Sequence, residues 1–142
     1  MKKIITISLL LNLGFSTDIS GSVSGVWDLA NSPYNIVGHT NVESGTNLTI
    51  DPGVEVVFEG NYFLTISGTL ICTGTEENLI SFYGEGDAKQ GSIEIMNSEV
   101  EHSFSYCKFE NLAGVEGFFE TFDPLSVEEL ESQEGWDIYL NN

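Results

Sequence analysis

The chain has 142 residues, one domain's worth, with 22 acidic side chains against 4 basic ones and a formal charge of −18. A surface so poor in cations lacks the footprint that nucleic acid or an anionic membrane demands, and 41 % hydrophobic residues argue against disorder. The acidity is compatible with a solubility surface, a calcium-binding surface or lineage bias, and says nothing of fold.

Residues 1–16 read as a secretory signal. Lys2 and Lys3 make a basic start, and Ile4–Phe15 form an apolar run too short for a membrane span. Gly14 and Ser16 are small residues at −3 and −1 of a cut before Thr17. The competing reading is a first strand or a buried helix. No cysteine follows the run directly, which argues against a lipid anchor, so the expected destination is the cell surface or the exterior. After the cut, Lys89 and Lys108 are the only basic side chains left.

Residues 17–46 are rich in Gly, Ser and Asn around Trp27, Pro33 and Tyr34. A stacked fold exposes an apolar cross-section and unpaired strand edges at its end, so this stretch is expected to be an N-terminal cap with Trp27 and Tyr34 lying over the first coil. The functional alternative makes Trp27 and Tyr34 ligand-binding residues that stack on sugar rings. His39, in Gly38-His39-Thr40, has no partner at metal-ligand spacing and reads as a solvated loop histidine.

Asn47–Phe82 carries the strongest pattern. Leu48 and Ile50 alternate with Thr49; Val54, Val56 and Phe58 with Glu55 and Val57; Leu64 and Ile66 with Thr65; Leu70 and Cys72 with Ile71; Ile80 and Phe82 with Ser81. Alternation of period two marks half-buried strands, and Gly or Asp-Pro-Gly punctuates between them. The connectors are too short for crossover helices and lack the Asn-Gly or Asp-Gly of tight hairpins. A solenoid satisfies both facts. Leu48–Ile50 recurs at Leu70–Cys72 and Val54–Phe58 at Ile80–Phe82, spacings in the twenties that parallel solenoids show.

The run L-T-I-x-P-G-V-x-V-x-F-x-G at Leu48–Gly60, with L-x-I-x-G-x-L-x-x-x-G-T at Leu64–Thr75 and I-x-F at Ile80–Phe82, resembles the opening coils of secreted bacterial right-handed parallel β-helix proteins of the pectin-lyase-like type. Gly25–Gly38 and Ser105–Asn111 carry looser parts of the same pattern, so the resemblance spans roughly residues 20–111. It implies an all-β fold, a right-handed parallel β-helix with N-terminal cap. It implies little about activity, because one fold hosts many.

Further along, Ile93 and Ile95 continue the stack after an exposed loop at Gly84–Gly91, and Phe104, Cys107 and Phe109 are expected in the next inward layer. The expected extents are coils over 47–111 and a coil, cap or truncated end over 112–142. In that last part Ser126 and Glu129 form a capping box for a short helix over Val127–Gln133, and Trp136, Ile138 and Leu140 alternate as a strand. Either this segment closes the open end, or the sequence is a piece of a longer protein.

Cys72 and Cys107 are the only cysteines. Both fall at inward positions and are expected as buried thiols, with a disulfide as the alternative should their coils lie adjacent. His102 precedes Cys107 by five residues, but no third group makes them a nucleophilic pair. A pectate-lyase-type or polygalacturonase-type chemistry, which the resemblance raises, uses arginine motifs, and this chain has no arginine. Paired carboxylates could still cleave glycosides; Asp51, Glu55, Glu59, Glu94, Glu99 and Glu101 face outward and read mainly as solvated. No catalytic residue and no cofactor are expected. A structural calcium would find hard oxygen ligands at Gly84–Asp87 or near Asp123, though no EF-hand spacing occurs. The expected function is a non-catalytic extracellular or cell-surface β-helix module, adhesin-like or binding a polysaccharide or a surface protein. The alternative is a carbohydrate-active enzyme of the pectin-lyase-like group.

Overall fold

The computed structural model describes residues 15–96, 100 and 102–117, together with the backbone of two further strands at 121–122 and 138–140. The chain is all-β. Among the described residues there is no α-helix, and every strand pairing is parallel. The strands in chain order are β1 (Thr17–Val23), β2 (Gly25–Trp27), β3 (Tyr34–Val42), β4 (Asn47–Ile50), β5 (Glu55–Phe58), β6 (Phe63–Ile66), β7 (Thr69–Thr73) and β8 (Ile80–Gly84). They continue as β9 (Ser92–Ile95), β10 (Ser103–Ser105), β11 (Cys107–Glu110), β12 (Gly114–Gly117), β13 (Thr121–Phe122) and β14 (Ile138–Leu140).

The pairings sort into three columns. In the first, Ile19, Ile36 and Phe58 lie side by side along β1, β3 and β5, and Val56, Phe82 and Phe109 along β5, β8 and β11. In the second, Val42 of β3 pairs with Ile66 of β6, Ile66 with Ile95 of β9, and Ile93 with Val115 of β12, which pairs with Ile138. The third runs Trp27, Ile50, Cys72 and Phe104 along β2, β4, β7 and β10, and on to Phe122. The sheet therefore curls: the chain visits the columns in rotation, and each strand lies beside one from the previous pass. Leu48 pairs with Leu70, as the repeat spacing predicts.

Why these residues make these strands is visible in their burial. Ile36, Leu48, Val56, Leu64, Ile66, Leu70, Ile80 and Phe82 are fully buried, while the residues between them reach solvent. Each such side chain removed from water contributes roughly 1.5–3 kcal/mol, and together they form one continuous core. Corner carbonyls and amides are bonded between passes as well, for example Gly74 N–H to Ser105 O at 2.9 Å and Ile80 N–H to Tyr106 O at 3.0 Å. Among the described residues no buried side-chain polar atom lacks a partner. Several corners admit only glycine: a Cβ on Gly68, for example, would strike the Glu43 and Thr46 carbonyl oxygens, and one on Gly91, at φ +75°, would strike the Phe58 ring.

Residues 17–46 differ from the expected cap. β1 and β3 are strands of the stack itself, and β3, at nine residues, feeds both the first and the second column. The sequence hides this strand because its inward row includes a polar residue, Thr40, which is buried and donates its hydroxyl to Gly38 O at 3.0 Å. The helix expected over Val127–Gln133 lies outside the described residues, as do Trp136 and most of the signal expected at 1–16.

Candidate functional site

Trp27 and Tyr34 stack on each other, with ring centroids 4.8 Å apart and planes 10° off parallel. Each is 4 % exposed, so their faces are spent on packing and offer no platform to a sugar. The Tyr34 hydroxyl accepts the Asp28 N–H at 2.8 Å and lies 3.2 Å from its carbonyl oxygen; burial, more than Asp28, pushes the phenol above its ordinary range.

A second aromatic cluster, with one exposed ring, lies at the entry to the second column. His39 is not in a loop: it sits on β3, on an outward position. Its imidazole stacks on Phe63 of the next pass, centroids 5.1 Å apart and 12° off parallel, and Tyr62 meets it edge-on at 5.8 Å. Nδ1 of His39 accepts the Phe63 N–H at 3.2 Å, which fixes the ring over its neighbour. A polar row follows two residues on. Ser67 Oγ donates to Asn41 Oδ1 at 3.4 Å, and Ser22 Oγ donates to Glu43 Oε1 at 2.6 Å. The hydrogen bond from Ser22, then that from Asn41, holds the Glu43 carboxyl below its usual range. An aromatic platform beside fixed hydroxyl, amide and carboxylate groups has the composition that a sugar's apolar face and hydroxyl rim would meet.

The outward carboxylates group differently. Asp51, Glu55 and Glu59 reach solvent along the edge of the first column and Glu94 along β9; Glu99, Glu101 and Asp123 lie outside the described residues. Tyr83, outward on β8, is pushed above its ordinary pKa by burial first and then by the negative fields of Glu55, Glu85 and Glu110. Glu110 pairs with Lys108 at 2.8 Å.

Side chains of Asn111 and Gln90 hold the Gly84–Gly91 loop, Gln90 Nε2 donating to Glu85 O at 2.6 Å. Asn111 Nδ2 lies 2.9 Å from the carbonyl oxygens of Gly84 and Gly86 and 3.2 Å from that of Ala88. The Gly84 and Gly86 oxygens, in the stretch offered by the sequence for calcium, thus face an amide. Among the described residues no group of three or more His, Cys, Asp or Glu side chains is placed to hold a metal.

His102 and Cys107 are both buried. Nδ1 of His102 accepts the Leu70 N–H at 3.2 Å, opposite the point where β10 begins, and the Cys107 thiol points to the carbonyl oxygens of Ser105 and Cys72. The two histidines of the chain thus do one job: each supplies a ring nitrogen to a strand N–H on a neighbouring pass. Sequence reasoning missed this, and missed the His39–Phe63 platform, because each pairing depends on register between passes.

Compared with protein-family models, with curated proteins and with solved structures, the chain matches none.

Proposed function

We propose that the chain is a right-handed parallel β-helix module, exported and displayed outside the cell, that binds a polysaccharide without cleaving it. The observation that supports this reading is the His39–Phe63 stack, with His39 exposed, Phe63 half-buried and a half-buried Tyr62 at its edge, beside the Asn41, Glu43 and Ser22 row. Parallel strands suit such a role: they set side chains at fixed intervals, so binding groups are positioned before the ligand arrives. Charge narrows the ligand. A chain at −18 repels polyanions, which favours neutral glycans over acidic ones.

Binding of neutral and acidic polysaccharide fragments to the full chain, followed by calorimetry, tests this. Neutral fragments are expected to bind, and a double change, His39→Ala with Phe63→Ala, to weaken them about tenfold, since a ring stack contributes about 0.5–1.5 kcal/mol and 1.4 kcal/mol is a factor of ten. Binding untouched by the double change would remove the platform from the proposal.

The second reading is a carbohydrate-active enzyme of the pectin-lyase-like group. It is favoured by Tyr83 standing among the carboxylates of Glu55, Glu85 and Glu110 on one outward face. Chain shortening of a polysaccharide by the purified protein, with or without calcium, and its loss on Glu55→Gln, would replace the binding reading with this one.

A further inference from the structure

We propose that Cys72 and Cys107 are a disulfide site: the two thiols join across the core when the chain folds under oxidising conditions. Cys72 belongs to the third column and Cys107 to the first, and the corner between β10 and β11 brings them together. Phe104 pairs with Cys72 and Cys107 with Ile80, so Cys107 comes three residues after the residue beside Cys72. Tyr106, at φ +51°, turns the chain at that corner, and its carbonyl is tied to the Ile80 N–H. Sγ of Cys107 lies 3.7 Å from the backbone carbonyl oxygen of Cys72, so the thiol of one cysteine reaches the main chain of the other. Both are free thiols here, 0 % and 1 % exposed.

Burial decides when the link forms. Burial, then the Cys107 thiol beside it, raises the Cys72 thiol well above the ordinary range, and a buried thiol cannot meet an external disulfide. Oxidation therefore belongs to folding, before the core closes. The oxidant is a small disulfide such as oxidised glutathione. One cysteine thiolate attacks it, a mixed disulfide forms and one glutathione thiolate leaves. The other cysteine thiolate then attacks the mixed disulfide at the protein sulfur; the Cys72–Cys107 bond forms and the second glutathione leaves. The chain loses two protons and two electrons, and oxidised glutathione is reduced to two glutathione molecules.

The lysines make this directly readable. Trypsin cuts after Lys89 and Lys108, so Cys107 leaves in peptide 90–108 and Cys72 in the peptide that ends at Lys89. The full chain is unfolded with reductant, refolded in a buffer of oxidised and reduced glutathione, alkylated, and digested without reduction. The expected product is the two peptides joined, lighter by two hydrogens than their sum, with a melting midpoint raised by roughly 10 °C over the reduced protein, because the link closes a long loop of the unfolded chain. Folded reduced protein placed in the same buffer should gain the link at least about tenfold more slowly. Separate peptides carrying alkyl or glutathione groups, or links found only between two chains, would overturn the proposal; equal rates from folded and unfolded protein would overturn its dependence on folding. The peptide assay uses the natural chain, so it does not depend on whether Cys72→Ser or Cys107→Ser folds.

Discussion

The Asn111 amide ties down the exposed loop Gly84–Gly91. Its side chain has two N–H groups and faces three carbonyl oxygens, from Gly84, Gly86 and Ala88, while the Asn111 backbone carbonyl accepts the Gln90 N–H at 3.0 Å. Its backbone is left-handed, φ +52°, a conformation that asparagine and glycine tolerate. Asn111→Gly keeps that backbone and loses only the side chain, at an expected cost of about 1–3 kcal/mol. Asn111→Asp aims a carboxylate at three carbonyl oxygens and should cost more than Asn111→Gly. Urea unfolding compares the two, and equal losses would mean that the amide is not the tether. His102 is similar in kind: His102→Ala leaves the Leu70 N–H without its ring acceptor, and about 1–3 kcal/mol should be lost. Neither role could be read from the sequence, where Asn111 and His102 were two polar residues near strands.

Two tyrosines and, in the reduced chain, the Cys72 thiol set the alkaline limit. Tyr34 and Tyr83 have pKa values raised above the ordinary 10.0, chiefly by burial, and burial raises the Cys72 thiol above its ordinary 9.0. A group raised on folding contributes fully below its unfolded value and loses that contribution as pH climbs through its folded one. Stability of the reduced chain should thus begin to fall above about pH 9 through Cys72, and the tyrosines add to the fall above about pH 10. Tyr83→Phe, which keeps the ring and removes the titrating hydroxyl, should flatten that fall. A melting profile from pH 8 to 11 that is the same for both proteins would contradict this.

At the scale of the strand, packing is between passes as much as within them. Phe82 and Phe109, paired in register, stack with centroids 5.1 Å apart and 12° off parallel. Phe104 from the third column leans on both, at 6.5 and 6.0 Å. The three rings tie two columns together at one level of the stack. Phe82→Ala would open a cavity there that rigid neighbouring strands cannot close, and is expected to cost about 3–5 kcal/mol by chemical unfolding. A loss under 1 kcal/mol would mean that the rings do not share one tight core. Strand existence was legible here: Ile80 and Phe82 alternate, as do Cys107 and Phe109, Phe104 lies on the strand before their corner, and all are buried. The aromatic contacts were not, because alternation assigns a face and leaves the neighbour on that face open.

Described acidic side chains such as Glu55, Glu85, Glu94 and Glu110 lie at outward positions. With a formal charge of −18 on the whole chain, self-repulsion opposes compaction. Salt shortens the range of that repulsion, from roughly 30 Å at 0.01 M to roughly 10 Å at 0.1 M. The melting midpoint should therefore rise when sodium chloride is added to a low-salt buffer; a midpoint that falls would show that attractive surface pairs such as Lys108–Glu110 outweigh the excess of negative charge.

The sequence by itself determined the β character of the described residues, the parallel stacking and the inward row from Leu48 to Phe82, because all three follow from local alternation and from a spacing that brings Leu48 beside Leu70. It could not determine that residues 17–46 join the stack, where a buried Thr40 interrupts the apolar row, nor that His39 finds Phe63 and Cys72 finds Cys107. The spacing between paired residues is 22 for Leu48 and Leu70 but 32 for Cys72 and Phe104. Loops of unequal length absorb that difference, so the partner of each strand is chosen by the packing of the whole core, and only the tertiary structure decided which residues meet.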